Sequence, residues 1–432
     1  MYNINIINNT INDITLLFII ILKWLFITIF KWTNPLYILL TPFVYIARLC
    51  HQVPILLNAN SRKEQISSYN KYNIVALPSD SNFVQDKWQS FQYAEFNFPE
   101  GCDIDKYREN LDNWSMKNFK CKSNTINYEG NIKEYIETII RKKPSQVIIN
   151  ATHLIVYFKN KLIIFMDHYF CDGLIIADFL KHLFYEDNIS TIKFPKYICY
   201  PLISDYIAIE YFARTYIENI KYPPLINGIG DKTYLMSKIV QKNDELIWNR
   251  WTTYAHGIYN VYEALPQSVD YLRIGLTVGF DSDITFGNNR IGLIIVIIKR
   301  TPINLSHNEK ILNYMEQFKN QTLARYTDAL TCYDIIRSYN MTYIRTSKMK
   351  RVIDIYFTSI FFKEGTPQIT RALGGFIGKI NINEYMYISA VSYGSSIYFT
   401  YVTNWKQLKL TDLTNNGLSI EYEFDNNDPN QF

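Results

Sequence analysis

The stretch KLIIFMDHYFCDGLIIADFL, residues 161–180, joins two kinds of apolar pattern through one polar turn. Its first part is a short continuous apolar run, which has the length of a buried strand and stops at His168. Beyond Gly173, apolar residues recur with the 3.6-residue spacing of a helix. The stretch therefore predicts a strand, a tight turn and a helix, with His168 where the strand ends.

The residues of this turn suit proton transfer. Histidine is the natural general base near neutral pH, and His168 is followed after three residues by Asp172 and Gly173. Asp172 can hold the turn by accepting hydrogen bonds, and Gly173 permits backbone angles that would strain other residues. The alternative is that His168 only caps the strand or packs in the core. Cys171 is interpreted as a small buried side chain, because no second histidine is placed to activate it.

The regions around the turn predict strands mixed with helices, an α+β pattern. Upstream, the patterns indicate a strand from Ser90, a helix with Tyr107 and Leu111, a helix over 131–140, and a hairpin of strands through 147–158 and 162–166. Downstream, they indicate helices over 246–265 and 308–339 and strands over 271–280, 290–300, 351–362, 384–393 and 396–404. The Pro- and Gly-rich stretch 221–233 predicts a linker.

Charge and composition exclude some classes of protein. The net charge is only +4, and no block of Lys or Arg exceeds three residues, which argues against a protein that binds nucleic acid. The six cysteines are scattered without a CxxC pair, which indicates a reducing compartment. Because the six histidines are equally dispersed, we expect no metal site.

The N-terminal part is strongly apolar. The runs 14–30 and 35–47 predict membrane attachment through residues 14–47, with Lys23 near the middle of the first run. Positive residues follow the first run, so the large C-terminal portion is expected to face the cytoplasm. The alternative is a helical hairpin buried within the fold.

The sequence resembles the CoA-dependent acyltransferases of the chloramphenicol acetyltransferase type, on the motif HYFCDG at 168–173 with its preceding hairpin and following helix. Within that superfamily it looks most like the wax ester synthase/diacylglycerol acyltransferase group. This second likeness rests on the strand pair joined through Gly287-Asn288-Asn289 and on the final Ser-Tyr-Gly hairpin at 392–394.

The resemblance implies two similar subdomains around a tunnel. The expected division is 1–50 for membrane attachment, 51–225 for the first subdomain, 226–245 for a linker and 246–432 for the second subdomain. Acyl-CoA would enter from one side and an alcohol acceptor from the other, without a further cofactor. His168 would be the general base and Asp172 would hold the loop, while Asn288, Thr358 and Ser359 are the candidates for binding the oxyanion or lining the tunnel.

Three positions depart from the family pattern. Asp167 stands where the family often has a second histidine, and Phe280 or Asp281 stands where an arginine commonly pairs with the motif aspartate. Arg273 or Arg290 is the candidate substitute for that arginine. The family's Asn-Asp pair falls on Ala255-His256, where His256 is expected to be a surface or helix-packing residue. Two hypotheses follow: an O-acyltransferase acting on an alcohol, plausibly a lipid or long-chain alcohol, or an inactive scaffold of the same fold that binds lipid or protein.

Overall fold

The structure is a computed structural model. In the N-terminal half it describes residues 42, 90–119, 124–148 except 141 and 143, and 153–167. In the remainder it describes 217–225 except 219 and 224, 229–279 except 244, 291–325, 353–361, 370–378, and 386–425 except 407 and 409.

Strands dominate the described residues. In chain order the strands are β1 (Ser90–Asn97), β2 (Asn124–Asn127), β3 (His153–Phe158), β4 (Lys161–Asp167), β5 (Ile229–Gln241), β6 (Tyr271–Gly279), β7 (Ile291–Lys299), β8 (Ile355–Phe361), β9 (Arg371–Gly378), β10 (Met386–Tyr393), β11 (Ser396–Trp405) and β12 (Ser419–Asp425). The helices are α1 (Ile104–Phe119), α2 (Ile132–Ile140), α3 (Pro144–Val147), α4 (Arg250–Ala264), α5 (His307–Ala324) and α6 (Leu410–Asn415).

These strands form two mixed sheets. The first sheet has the order β2-β3-β4-β1-β9, and the second has the order β12-β5-β11-β10-β8-β6-β7. The described elements therefore include the strands mixed with helices that the sequence predicts. Strand β9 comes from the C-terminal half of the chain but pairs with β1 in the first sheet, so the chain crosses between the two sheets.

Each face of the second sheet has its own core. Alternate residues of its strands, such as Phe357, Ile388 and Phe399, pack with α4 and α5 in one hydrophobic cluster. The residues between them, such as Tyr387 and Val402, pack against side chains of the first sheet in another cluster. The period of two along a strand thus divides the second sheet into a helix-facing side and a side that faces the first sheet.

The main helices begin with strong capping groups. Asn249 precedes α4, and its side-chain oxygen accepts hydrogen bonds from the backbone N–H groups of Trp251 and Thr252. Ser306 precedes α5 and forms a reciprocal capping box with Glu309. Such caps satisfy backbone donors that a helix leaves free at its first turn. α5 starts within one residue of the predicted position 308, whereas Asn249 sets the start of α4 at Arg250, four residues after the predicted position 246.

Gly257 lets α4 approach the second sheet closely, which gives a first prediction. A Cβ atom there would lie 2.5 Å from Cε1 of the Phe357 ring and 3.3 Å from that of Phe399. Overpacking a core costs about 1–3 kcal/mol, and glycine in a helix is already about 1 kcal/mol worse than alanine. We therefore expect Gly257→Ala to lower the free energy of unfolding by about 1–2 kcal/mol in a denaturant titration.

The double variant Gly257→Ala/Phe357→Leu provides the control for this contact. A smaller side chain at position 357 leaves room for the new methyl group, so the alanine should cost less in that background than in the native chain. An equal cost in both backgrounds would show that the contact with Phe357 is not the cause.

Most of the elements predicted downstream of residue 90 are confirmed, but an expected linker and three strands differ from the prediction. The stretch 226–245, expected to be a linker, contains β5, which pairs with both β11 and β12. Pro223 and Gly230 suggested a chain break, and the run Tyr234–Gln241 lacks the strict apolar–polar alternation of a strand, so pairing with β11 and β12 decides its conformation. The strands β2, β9 and β12 were also missed. The subdomain boundaries themselves stay a prediction.

The apolar segment 14–47 lies outside the described residues, apart from residue 42. Among the helices that the structure does describe, none combines the length and hydropathy needed to cross a bilayer.

Candidate functional site

The hairpin that leads to the predicted active-site turn has its expected form. Strands β3 and β4 pair antiparallel around a turn at Lys159 and Asn160, and Lys159 has a positive φ of 54°. β4 lies in the middle of the first sheet and ends at Asp167. His168, Asp172 and Gly173 follow this end but lie outside the described residues. Asn288, Arg290 and Cys171 also lie outside the described residues.

A row of hydroxyl side chains crosses the second sheet on the side that faces the first. The pairing registers place side by side Thr358 of β8, Ser389 of β10, Thr400 of β11 and Ser237 of β5. Residues paired directly across neighbouring strands project to the same face of a sheet. We call these four residues the hydroxyl row.

Strand β9 covers most of this row. The Arg371 guanidinium donates to the Ser237 hydroxyl at 2.6 Å, and the Gly374 backbone N–H donates to the Thr400 hydroxyl at 3.1 Å. The Ser389 hydroxyl donates to the Gly374 carbonyl. Within four residues β9 thus contacts three neighbouring strands of the second sheet, β5, β11 and β10.

Thr358 is the member of the row that β9 does not engage. Within the described residues its hydroxyl has no hydrogen-bond partner, and the side chain is half-buried. Ser359, the other predicted oxyanion residue on β8, projects to the opposite side, where its hydroxyl donates to that of Tyr254 on α4 at 3.2 Å. The alternation of β8 therefore favours Thr358 over Ser359 as a residue that faces the first sheet.

The strand registers relate the end of β4 to this part of the second sheet. Ile377 of β9 pairs with Phe91 of β1, which pairs with Asp167 at the end of β4. β9 advances from Ser237 towards Ser389, so its continuation to Ile377 leads to the side of β8. Two strand spacings, about 10 Å, then separate Ile377 from Asp167. The chain therefore enters the predicted active-site turn on the β8 side of the inter-sheet surface.

Arg273 lies on the same side of the second sheet, further along β6. Its guanidinium is fully buried and donates through Nη1 to the Tyr222 carbonyl at 3.5 Å. Within the described residues, Nε and Nη2 have no hydrogen-bond partner. These two groups form the edge of a guanidinium that binds a carboxylate with two parallel hydrogen bonds. Burial lowers the pKa of Arg273, and nearby Asp354 opposes that effect.

A buried carboxylate joins the two sheets at the other end of β1. Glu95 is 1% exposed and accepts hydrogen bonds from Tyr93 at 2.5 Å, from Tyr422 of β12 at 2.7 Å and from Lys161 at 2.7 Å. Burial, together with the charge of Glu95, raises the pKa of Tyr93 well above its usual value. The sequence analysis missed this cluster, because its members lie on three strands that are far apart in the chain.

Two histidines are buried within the described residues. His153 belongs to β3, as expected, and its ring lies edge-on to Trp114. His256 packs on α4 with its ring stacked on Trp248, at 4.8 Å between centroids. Burial lowers the pKa of each to about 3. Within the part of the chain that the structure describes, no three potential ligands are grouped as a metal site would require.

Comparison with known proteins gives a fold but no family. No family model matches the chain, and no curated protein sequence matches it. The solved structure of TRI3 trichothecene 15-O-acetyltransferase from Fusarium sporotrichioides is similar, with a TM-score of 0.52 and 8% identity over 76% of this chain and 90% of that one. At this identity the likeness shows a shared fold. This chain and that structure therefore share a fold of mixed sheets and helices.

Weaker likenesses include two further solved structures. Polyketide synthase associated protein 5 from Mycobacterium tuberculosis has a TM-score of 0.49 at 10% identity, over 79% of this chain and 96% of that one. The starter condensation domain of rhizomide synthetase RzmA, a mutant in complex with C8-CoA and Leu-SNAC, has a TM-score of 0.46 at 9% identity, over 82% of this chain and 90% of that one.

Proposed function

We propose that the protein is an O-acyltransferase that moves an acyl group from acyl-CoA to an alcohol. The observation that carries this proposal is the hydroxyl of Thr358. It has no partner among the described residues, and it lies on the part of the inter-sheet surface towards which the end of β4 leads. The fold shared with TRI3 supports a transferase.

The proposed reaction needs one base and one oxyanion donor. His168 takes the proton of the acceptor hydroxyl while the oxygen attacks the thioester carbonyl, and the electron pair of the C=O bond moves to its oxygen. The Thr358 hydroxyl donates a hydrogen bond to that oxyanion. When the carbonyl re-forms, the C–S bond breaks and the protonated His168 returns the proton to the CoA sulfur. No covalent acyl-enzyme is formed.

Asp172 and Arg273 are assigned positioning roles. Asp172 holds the turn that carries His168, and Arg273 supplies its cationic partner in place of the family arginine. The Nε–Nη2 edge of Arg273, which has no acceptor among the described residues, supports this assignment. A wholly buried guanidinium is stable only when it is paired, because removing its hydration costs several kcal/mol.

The proposed acceptor is a lipid or long-chain alcohol, which would give a wax ester or an acylglycerol. The apolar segment 14–47 supports this choice, because such acceptors reside in the bilayer. In this proposal the segment attaches the protein to a membrane, and the large C-terminal portion faces the cytoplasm. The proposal includes the resemblance to the wax ester synthase group that the sequence indicates.

The test is an ester-forming assay on the purified full chain with labelled acyl-CoA and a panel of alcohols. We expect His168→Ala to lower kcat/KM by about 100- to 10,000-fold. Thr358→Val removes the hydroxyl at constant volume and should lower kcat more than it raises KM, since the oxyanion exists only after attack. Thr358→Ser keeps a hydroxyl and should retain most of the activity.

Ser359→Ala is the matched control, because this neighbouring hydroxyl faces α4. Its activity should equal that of the native chain. Ester formation that persists in His168→Ala would exclude the proposed base. If native protein forms no ester with any acceptor, the inactive scaffold becomes the better hypothesis.

A further inference from the structure

Three basic side chains lie together on the helix-facing side of the second sheet, opposite to Thr358. Lys238 follows Ser237 on β5 and therefore projects away from the hydroxyl row, towards α4. His256 belongs to α4, and His307 is the first residue of α5. We call these three residues the basic cluster. None of them has a role in the proposed acyl transfer.

Hydrogen bonds fix the amine of Lys238 beside α4. Its Nζ donates to the side-chain oxygen of Asn260 at 2.7 Å, and the amide nitrogen of Asn260 donates to the Tyr401 hydroxyl at 2.8 Å. Asn260 lies one helical turn after His256. Residues four apart on a helix have Cβ atoms about 5–6 Å apart on one face, so Lys238 and His256 are neighbours.

Aromatic contacts fix the two imidazole rings. The His256 ring stacks on Trp248, and its centroid lies 5.9 Å from that of His307. The ring of Tyr259 packs against His307 at a centroid distance of 4.6 Å. His256 is 7% exposed, and within the described residues its Nε2 has no hydrogen-bond partner. A buried ring nitrogen of this kind lacks the partner that such groups normally have.

The acidic side chains nearby already have partners. Glu263 binds Lys310 at 3.1 Å, Glu309 accepts from Ser306, and Glu245 accepts from Asn308 at 2.9 Å. Among the described residues, the hydrogen-bond partner of Lys238 is a neutral amide, and burial lowers the pKa of this lysine. Burial lowers the pKa of His256 and of His307, and the charge of Lys238 adds to this effect, while the charge of Glu263 raises the pKa of His307. The basic cluster thus brings the Lys238 ammonium beside two imidazoles, and among the described residues no carboxylate forms a hydrogen bond with any of the three side chains.

We propose that the basic cluster binds a phosphate group. A phosphate carries up to two negative charges and several acceptor oxygens, so it can accept from Lys238 and both imidazoles at once. His307 is exposed and Lys238 is half-buried, which leaves the cluster open on one side. Binding draws protons to the histidines, because a phosphate favours their charged form. The phosphate belongs to a soluble ester or to a lipid headgroup.

The test uses inorganic phosphate and the full chain in calorimetric titrations at pH 7, in two buffers that differ in ionisation enthalpy. We expect saturable binding with uptake of protons. Lys238→Met should weaken the affinity by about tenfold or more, whereas Lys242→Met, one residue past the end of β5, should leave it unchanged. His307→Gln, an exposed substitution that leaves the core intact, should weaken binding and reduce the proton uptake.

Several results would overturn the proposal. The first is an absence of saturation at millimolar phosphate. The second is an affinity that Lys238→Met and His307→Gln leave unchanged, and the third is binding without proton uptake. Sedimentation with vesicles then distinguishes the two sources of phosphate. Lys238-dependent binding to phosphatidic acid but not to phosphatidylcholine assigns a lipid headgroup, and Lys238-dependent binding of inorganic phosphate alone assigns a soluble ester. Because the assay measures no ester formation, its failure is distinct from failure of the acyltransferase proposal.

Discussion

Between pH 6.5 and pH 4.5 the free energy of unfolding should fall by about 4–5 kcal/mol through two buried histidines. His153 and His256 have pKa values of about 3 in the folded chain, because burial disfavours their charged form. In the unfolded chain both take up a proton near pH 6.5. Their depressed pKa values therefore leave stability intact above pH 6.5 and remove it progressively as the pH falls towards 3.

Urea titrations at a series of pH values, in buffers free of phosphate, measure this loss. His256→Gln and His153→Gln should each remove about half of the slope between pH 6.5 and 4.5, whatever they cost at neutral pH. His307→Gln is the control, because this exposed side chain is less perturbed by burial. If both buried variants keep the native slope, carboxylates cause the acid sensitivity.

Local patterns predicted the elements that surround the active-site turn. The strands β3 and β4 have strong apolar runs joined by a short polar turn, and β1 has aromatic residues interspersed with polar ones. The chain crossing was not predictable in this way. β9 has the sequence RALGGFIG, whose glycines indicate a loop, and its pairing with β1 joins residues about 280 positions apart. Tertiary pairing therefore decides its conformation.

The candidate site shows the same limit. Thr358 and Ser359 are equivalent in sequence, and only the register of β8 with β10 shows that they project to opposite sides. The basic cluster was likewise invisible, because Lys238 lay in the expected linker and His307 in an ordinary helix start. The sequence predicts that side chains alternate between the two faces of each strand. It does not predict which face meets which partner, because that depends on how the sheets pack.

Replacing Glu95 with alanine should lower the free energy of unfolding by about 3–5 kcal/mol, measured by chemical denaturation. The change leaves the hydroxyls of Tyr93 and Tyr422 buried without their acceptor, and each such loss costs about 1–3 kcal/mol. Lys161 is 24% exposed and can reach water, so the loss of its ion pair lowers the free energy of unfolding less than the loss of the tyrosine hydrogen bonds does. Glu95→Gln keeps one acceptor oxygen and should cost less than half as much.

Glu423→Ala is the matched control for this junction. Glu423, like Tyr422, belongs to β12. It forms an ion pair with Lys232, but both side chains reach solvent. Ion pairs at the surface contribute about 0–1 kcal/mol, so this variant should remain near the native stability. If Glu95→Ala costs no more than Glu423→Ala, the buried carboxylate does not hold β12 to β1. A large difference would make Glu95 a principal polar tie between the two sheets, on the far side of the hydroxyl row from Thr358.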